Sequence, residues 1–136
     1  MEALRVVMTV QAITLLAYGL PSLLVPALAI ELAGQLPLPE PCLLRAAGVA
    51  FVMLAWIEFL VAGDLVRHWP LVLAYATLPA VTCATIVLHY LTRGFKGEAW
   101  FWWMNAGVSA ALAVALFATR HAVAEAREDD IPAETG

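Results

Sequence analysis

Glu58 is a carboxylate set inside an apolar run, Cys42–Ala62, whose one other charged residue is Arg45 near its start. An ionised carboxylate at mid-bilayer costs roughly 2.5–3.5 kcal/mol on insertion scales, and less when it stands near a helix end. Glu58 is a little over one turn from the end of its run, and Arg45 lies too far back along the same helix to be its counter-ion. Its expected partners, matched by depth, are Gln11 and Thr14 of the first apolar run and Tyr75 of the third. Two kinds of chemistry are open to it. It can hold the fold by donating a hydrogen bond as a protonated acid, or it can be a working proton site.

The other polar residues within the apolar runs fall on faces when placed at helical spacing. Gln11, Thr14, Tyr18 and Ser22 share a stripe in the first run; Tyr75, Thr82 and His89 recur every seven residues in the third; Asn105 and Ser109 share a face in the fourth. Turning these stripes inward keeps them from hydrocarbon and predicts a polar seam through a bundle. Such a seam serves either as interhelical glue, at about 0.6–2 kcal/mol per hydrogen bond, or as a binding crevice or proton path. His89 is expected near Asn105 and Glu98, whereas His68 and His121 belong to the opposite rim. No Asp, Glu, His or Cys spacing suits a metal or haem, and no nucleophile–base pair is visible. Neither a metal, a cofactor nor an enzymatic activity is expected.

The elements that must position these residues are four apolar runs, about residues 6–30, 42–62, 70–92 and 100–120. A hydrocarbon core about 30 Å thick needs about 20 helical residues, which each run supplies. The chain of 136 residues is 63% hydrophobic, leaving no room for a folded domain outside the membrane. The reading is an all-α integral membrane protein, an antiparallel bundle of four transmembrane helices over residues 1–120. Residues 121–136, with Glu125, Glu128, Asp129, Asp130 and Glu134, form an acidic solvent-exposed tail. Net charge is −4, which argues against a nucleic-acid partner. The N-terminal run is longer than a signal-peptide core and is preceded by Glu2 as well as Arg5, so it reads as a retained first helix.

Pro21 and Pro26 are expected to open the second half of the first helix, freeing the carbonyls of Ala17 and Ser22. Pro37, Pro39 and Pro41 make the following loop a stiff connector, and Pro41 and Pro70 suit first helical turns. Trp69 at one rim, and Trp100, Phe101, Trp102 and Trp103 at the other, read as interfacial aromatics. The second group could also meet a partner, lipid or pigment. Gly107, Ala111 and Ala115 form a small-residue face nearly opposite Asn105 and Ser109, suited to close approach by a partner helix. Cys42 and Cys83 differ too much in depth to form a bridge. Arg5, Arg67, Arg120 and Arg127 on the side of the termini, against Arg45, Arg93 and Lys96, bias both termini towards the cytoplasm.

The Pro-bearing end of helix one (Pro21, Pro26), an extracytoplasmic loop and Arg45-x-x-Gly48 opening helix two resemble the small bacterial four-helix membrane proteins grouped as DoxX-like. The resemblance covers most of residues 10–120. It implies a four-helix bundle in a bacterial inner membrane and no particular activity; some members look like accessory subunits of membrane oxidoreductase systems. The expected function is therefore a non-enzymatic accessory subunit of a larger membrane complex, docking by helix, aromatic and lipid contacts. The alternative is a dimeric proton-coupled transporter of small molecules that uses Glu58, with Tyr18 and Tyr75 lining its crevice. Small multidrug transporters carry their essential Glu in the first helix, whereas here it stands in the second.

Overall fold

A computed structural model of the chain describes residues 1–36, 40–95 and 97–120. Lys96, the Pro37–Pro39 segment and the acidic tail over 121–136 lie outside the described residues, as do the readings that rested on them. The described residues form five helices: α1 (Glu2–Leu24), α2 (Pro26–Leu32), α3 (Pro41–Gly63), α4 (Trp69–Arg93) and α5 (Ala99–Thr119). Among them, α1, α3, α4 and α5 are long and apolar enough to cross a membrane. The chain is thus an all-helical membrane protein with four spans in contact with lipid.

The first apolar run is divided into two helices. Val25 leaves helical geometry at φ −135° and ψ 59°, because a residue before proline is pushed out of the α region. Pro26 then starts α2 at a position where its missing donor costs nothing. Pro21, by contrast, is accommodated inside α1, and its carbonyl accepts the Val25 amide at 2.9 Å. Gly34, at φ +63°, closes α2 in a left-handed turn, with the Gln35 amide donating to Ile30 and the Gly34 amide to Glu31. Glu31 and Leu32, expected in the loop, therefore belong to a helix.

The bundle is built from two helical hairpins. α1 packs along α3, and α4 along α5; α1 also touches α5, while α3 and α4 meet only lightly although a short turn joins them. The α1–α3 crossing is close because it is made of glycines. A Cβ added at Gly48 would stand 2.7 Å from the Leu23 amide nitrogen and 2.8 Å from the Gly19 carbonyl oxygen. At the end of the bundle that carries the N-terminus, Leu4, Met8, Val61, Ala62, Leu65, Val72, Tyr75, Ala76 and Leu116 form the main core. The Arg5 Nε donates to the Ala62 carbonyl at 2.9 Å, supplying a donor that the last turn of α3 lacks.

Two polar clamps tie the hairpins together. At the far end the Glu98 amide donates to Gly34, and the Gln35 side chain donates to Glu98 and accepts from Trp102 Nε1 at 2.9 Å. Tyr90, Phe95, Phe101, Trp102 and Trp103 pack edge-on or stacked around this clamp. The second clamp lies inside the bundle.

Candidate functional site

Glu58 is fully buried, and so, nearly, is Gln11. The antiparallel register that sets Arg5 against Ala62 and Gly19 against Gly48 brings Gln11 to within two residues of the level of Glu58. Tyr75 of α4 completes the level. Its hydroxyl donates at 2.8 Å to the carbonyl of Leu54, one turn before Glu58, and its own carbonyl accepts from Gln11 Nε2 at 3.3 Å. Gln11 of α1, Glu58 of α3 and Tyr75 of α4 thus lie at one level, but neither Gln11 nor Tyr75, the partners expected from depth, hydrogen-bonds to Glu58.

The Gln11–Tyr75 bond has a cause in the sequence. Pro79 sits inside α4 and is buried. Residue 79 would normally donate its amide to the carbonyl four residues earlier, but proline has no N–H. The Tyr75 carbonyl is left without that donor, and in a bilayer it must find another. Gln11 reaches across from α1 to supply it. Restoring the amide with Pro79→Ala is expected to uncouple the pair. Gln11→Leu should then cost about 0.6–1.7 kcal/mol less in the Pro79→Ala background than in wild type. A double-mutant cycle on reversible unfolding in mixed micelles measures the difference, and strict additivity would rule the coupling out.

Three acceptor atoms remain open at this level. Among the described residues, no donor reaches either Glu58 oxygen or Gln11 Oε1. Of the neighbouring donors, the Tyr75 hydroxyl goes to Leu54, one N–H of the Gln11 amide to Tyr75, and the Arg5 Nε to Ala62.

The rest of the expected seam is not assembled. Thr14 is half-buried and donates to the Val10 carbonyl of its own helix; Thr82 is exposed and donates to Leu78. His89 is also exposed, stacked 6.3 Å from the Phe95 ring and not set against Asn105. Asn105 donates to Phe101 within α5, Ser109 is half-buried and Ser22 is buried at the α1 crossing. The seven-residue spacing of Tyr75, Thr82 and His89 does keep them on one face. However, α4 buries Val72, Tyr75, Ala76 and Pro79 in its first half and only Ile86 beyond them. Threonines that bond back to their own helix can face lipid without an open donor, so nothing forces them inward.

Tyr18 belongs to the opposite end, edge-on to Phe101 at 6.4 Å. It does not share a crevice with Tyr75. Trp69 packs on the main core, whereas Trp100 and Trp103 are exposed. Gly107 and Ala111 are exposed and Ala115 half-buried, so the small-residue face of α5 points out of the bundle. A Cβ at Gly107 would meet no atom within 4 Å. An apolar groove of about 320 Å³ follows the α1–α2 break, lined by residues that include Leu20, Pro21, Val25 and Leu28. Cys42 and Cys83 are free thiols. Among the described residues, no three of His, Cys, Asp or Glu come together.

Sequence reasoning did not find Pro79, Gln35 or the Gly19–Gly48 crossing. Pro79 carried a readable signal, since a proline within an apolar helix marks the carbonyl four residues before it. Gln35 carried none. Comparison with protein-family models, with curated proteins and with solved structures finds no match for this chain.

Proposed function

We propose that this chain is a non-enzymatic accessory subunit of a larger membrane complex, in a bacterial inner membrane with both termini cytoplasmic. The observation that carries the reading is the outer face of α5. Its apolar window is 11% buried within the bundle, against 22–28% for the other three spans. Gly107 and Ala111 leave a shallow notch on that face, flanked towards the rim by exposed Trp100 and Trp103. Lipid chains need no notch to pack, whereas small residues let a second helix backbone approach closely. The partners are other transmembrane helices, with lipid or pigment against the tryptophans. The resemblance to DoxX-like proteins agrees with this role.

Purification from native membranes in mild detergent, followed by mass spectrometry of what co-migrates, tests it. A stable, stoichiometric complex is expected. Gly107→Leu or Ala111→Leu should release the chain from that complex without weakening its own fold, since both positions are exposed and a Cβ at Gly107 meets no atom within 4 Å. Migration as a lone monomer or homodimer would sink the reading.

A proton-coupled transporter is the second reading, and the open oxygens of Glu58 are what favour it. The separation of Tyr18 from Tyr75 removes the crevice it needs in this arrangement of the helices.

A further inference from the structure

We infer that the level of Gln11, Glu58 and Tyr75 is a binding site for one monovalent cation, a proton or an alkali ion, held by the Glu58 carboxylate and Gln11 Oε1. The inference does not depend on the subunit role and stands on a donor count. Among the described residues, both Glu58 oxygens and Gln11 Oε1 are buried acceptors without donors. Such groups are strongly disfavoured in a protein interior unless something satisfies them. A buried carboxylate additionally requires a counter-charge.

The neighbouring helices do not provide either. The charged or titratable groups nearest Glu58 on the helices packed against α3 are Arg5 of α1 and Tyr75 of α4. The Arg5 Nε is bonded to the Ala62 carbonyl and the Tyr75 hydroxyl to the Leu54 carbonyl, and no other nitrogen of the Arg5 guanidinium reaches a Glu58 oxygen. α2 has only Glu31, at the other end of the bundle; α5 joins the shared core through Leu116, and its one charged group, Arg120 at the C-terminal cap, lies 4.6 Å over the Phe117 ring. One cation with affinity for hard oxygen atoms would complete the carboxylate. A proton does this by making Glu58 a donor, and an alkali ion by direct coordination. No bond in the protein is made or broken beyond the O–H bond in the proton case.

Thermal unfolding of the full chain in lipid-containing micelles, scanned from acidic to alkaline pH in choline chloride and again in sodium chloride, reads the site. A cation that binds the folded state stabilises it by mass action. In choline the wild-type melting temperature should fall by several degrees as pH rises and the site empties of protons. If adding sodium restores it, the guest is an alkali ion; if sodium has no effect, the guest is a proton. Glu58→Gln, and Glu58→Met should the first not fold, are expected to lose both responses. A wild-type melting temperature indifferent to pH and to sodium overturns the inference. So does a response that persists undiminished in the variants.

Discussion

Gly48→Ala is expected to weaken the bundle by roughly 1–2 kcal/mol, although alanine is the better helix former. The methyl would stand 2.7 and 2.8 Å from main-chain atoms of Leu23 and Gly19, which cannot rotate away. Overpacking of this kind costs about 1–3 kcal/mol, against about 0.5–1 kcal/mol recovered by removing a helical glycine. α1 and α3 must therefore separate by a fraction of an ångström along their main contact, and the dispersion gained there falls with distance. Gly107→Ala is the matched control. The new methyl meets no atom within 4 Å, so only the helix-propensity term remains and the variant should be more stable than wild type. Reversible unfolding in mixed micelles measures both. Equal effects of the two substitutions would show that the close crossing is not what Gly48 provides.

The second large effect is expected from Glu58→Met, a side chain of similar length without the charge. Removing a buried polar group that lacks partners, and filling its space with an apolar one, takes away a desolvation penalty of about 1–3 kcal/mol. The variant should outlast the wild type by that order in sodium-free alkaline medium, where the site is empty. Its advantage should shrink in acid, where a proton fills the wild-type site. Equilibrium unfolding at the two pH values decides the matter. A variant weaker than the wild type in alkali would mean that the folded protein gives the ionised carboxylate a partner.

The four spans were legible in the sequence because apolar length alone specifies a membrane helix. The first opens before Pro26, as its missing amide predicts, whereas Pro21 is absorbed within α1. The burial of Glu58 at the level of Gln11 and Tyr75 follows from depth, which residue count sets, and from a carboxylate's need to avoid hydrocarbon, but the hydrogen bonds expected from them to Glu58 do not form. The same argument failed for Thr14, Thr82 and His89. It treated every polar side chain as needing an interior, when a threonine can satisfy its hydroxyl on its own helix and His89 can stack on Phe95 outside the core. What the sequence could not show was register. Gly19 against Gly48, and Gln35 against Glu98 and Trp102, join segments far apart in the chain. Nothing in either local pattern points to the other.

The two-hairpin architecture also bears on when the Glu58 site can open. The principal packing joins neighbours in the chain, so each hairpin can complete its own contacts as its second helix enters the bilayer. Docking of one pair on the other comes last. The Gln11–Tyr75 and Tyr75–Leu54 bonds cross that late seam, and the contact between α3 and α4 beside them is slight. The seam is also where the folded state is expected to yield first, by a sub-global opening that leaves each hairpin whole. A guest bound for Glu58 thus needs no permanent channel, since a brief parting of the pairs exposes the carboxylate, and the frequency of that breathing sets the rate of exchange.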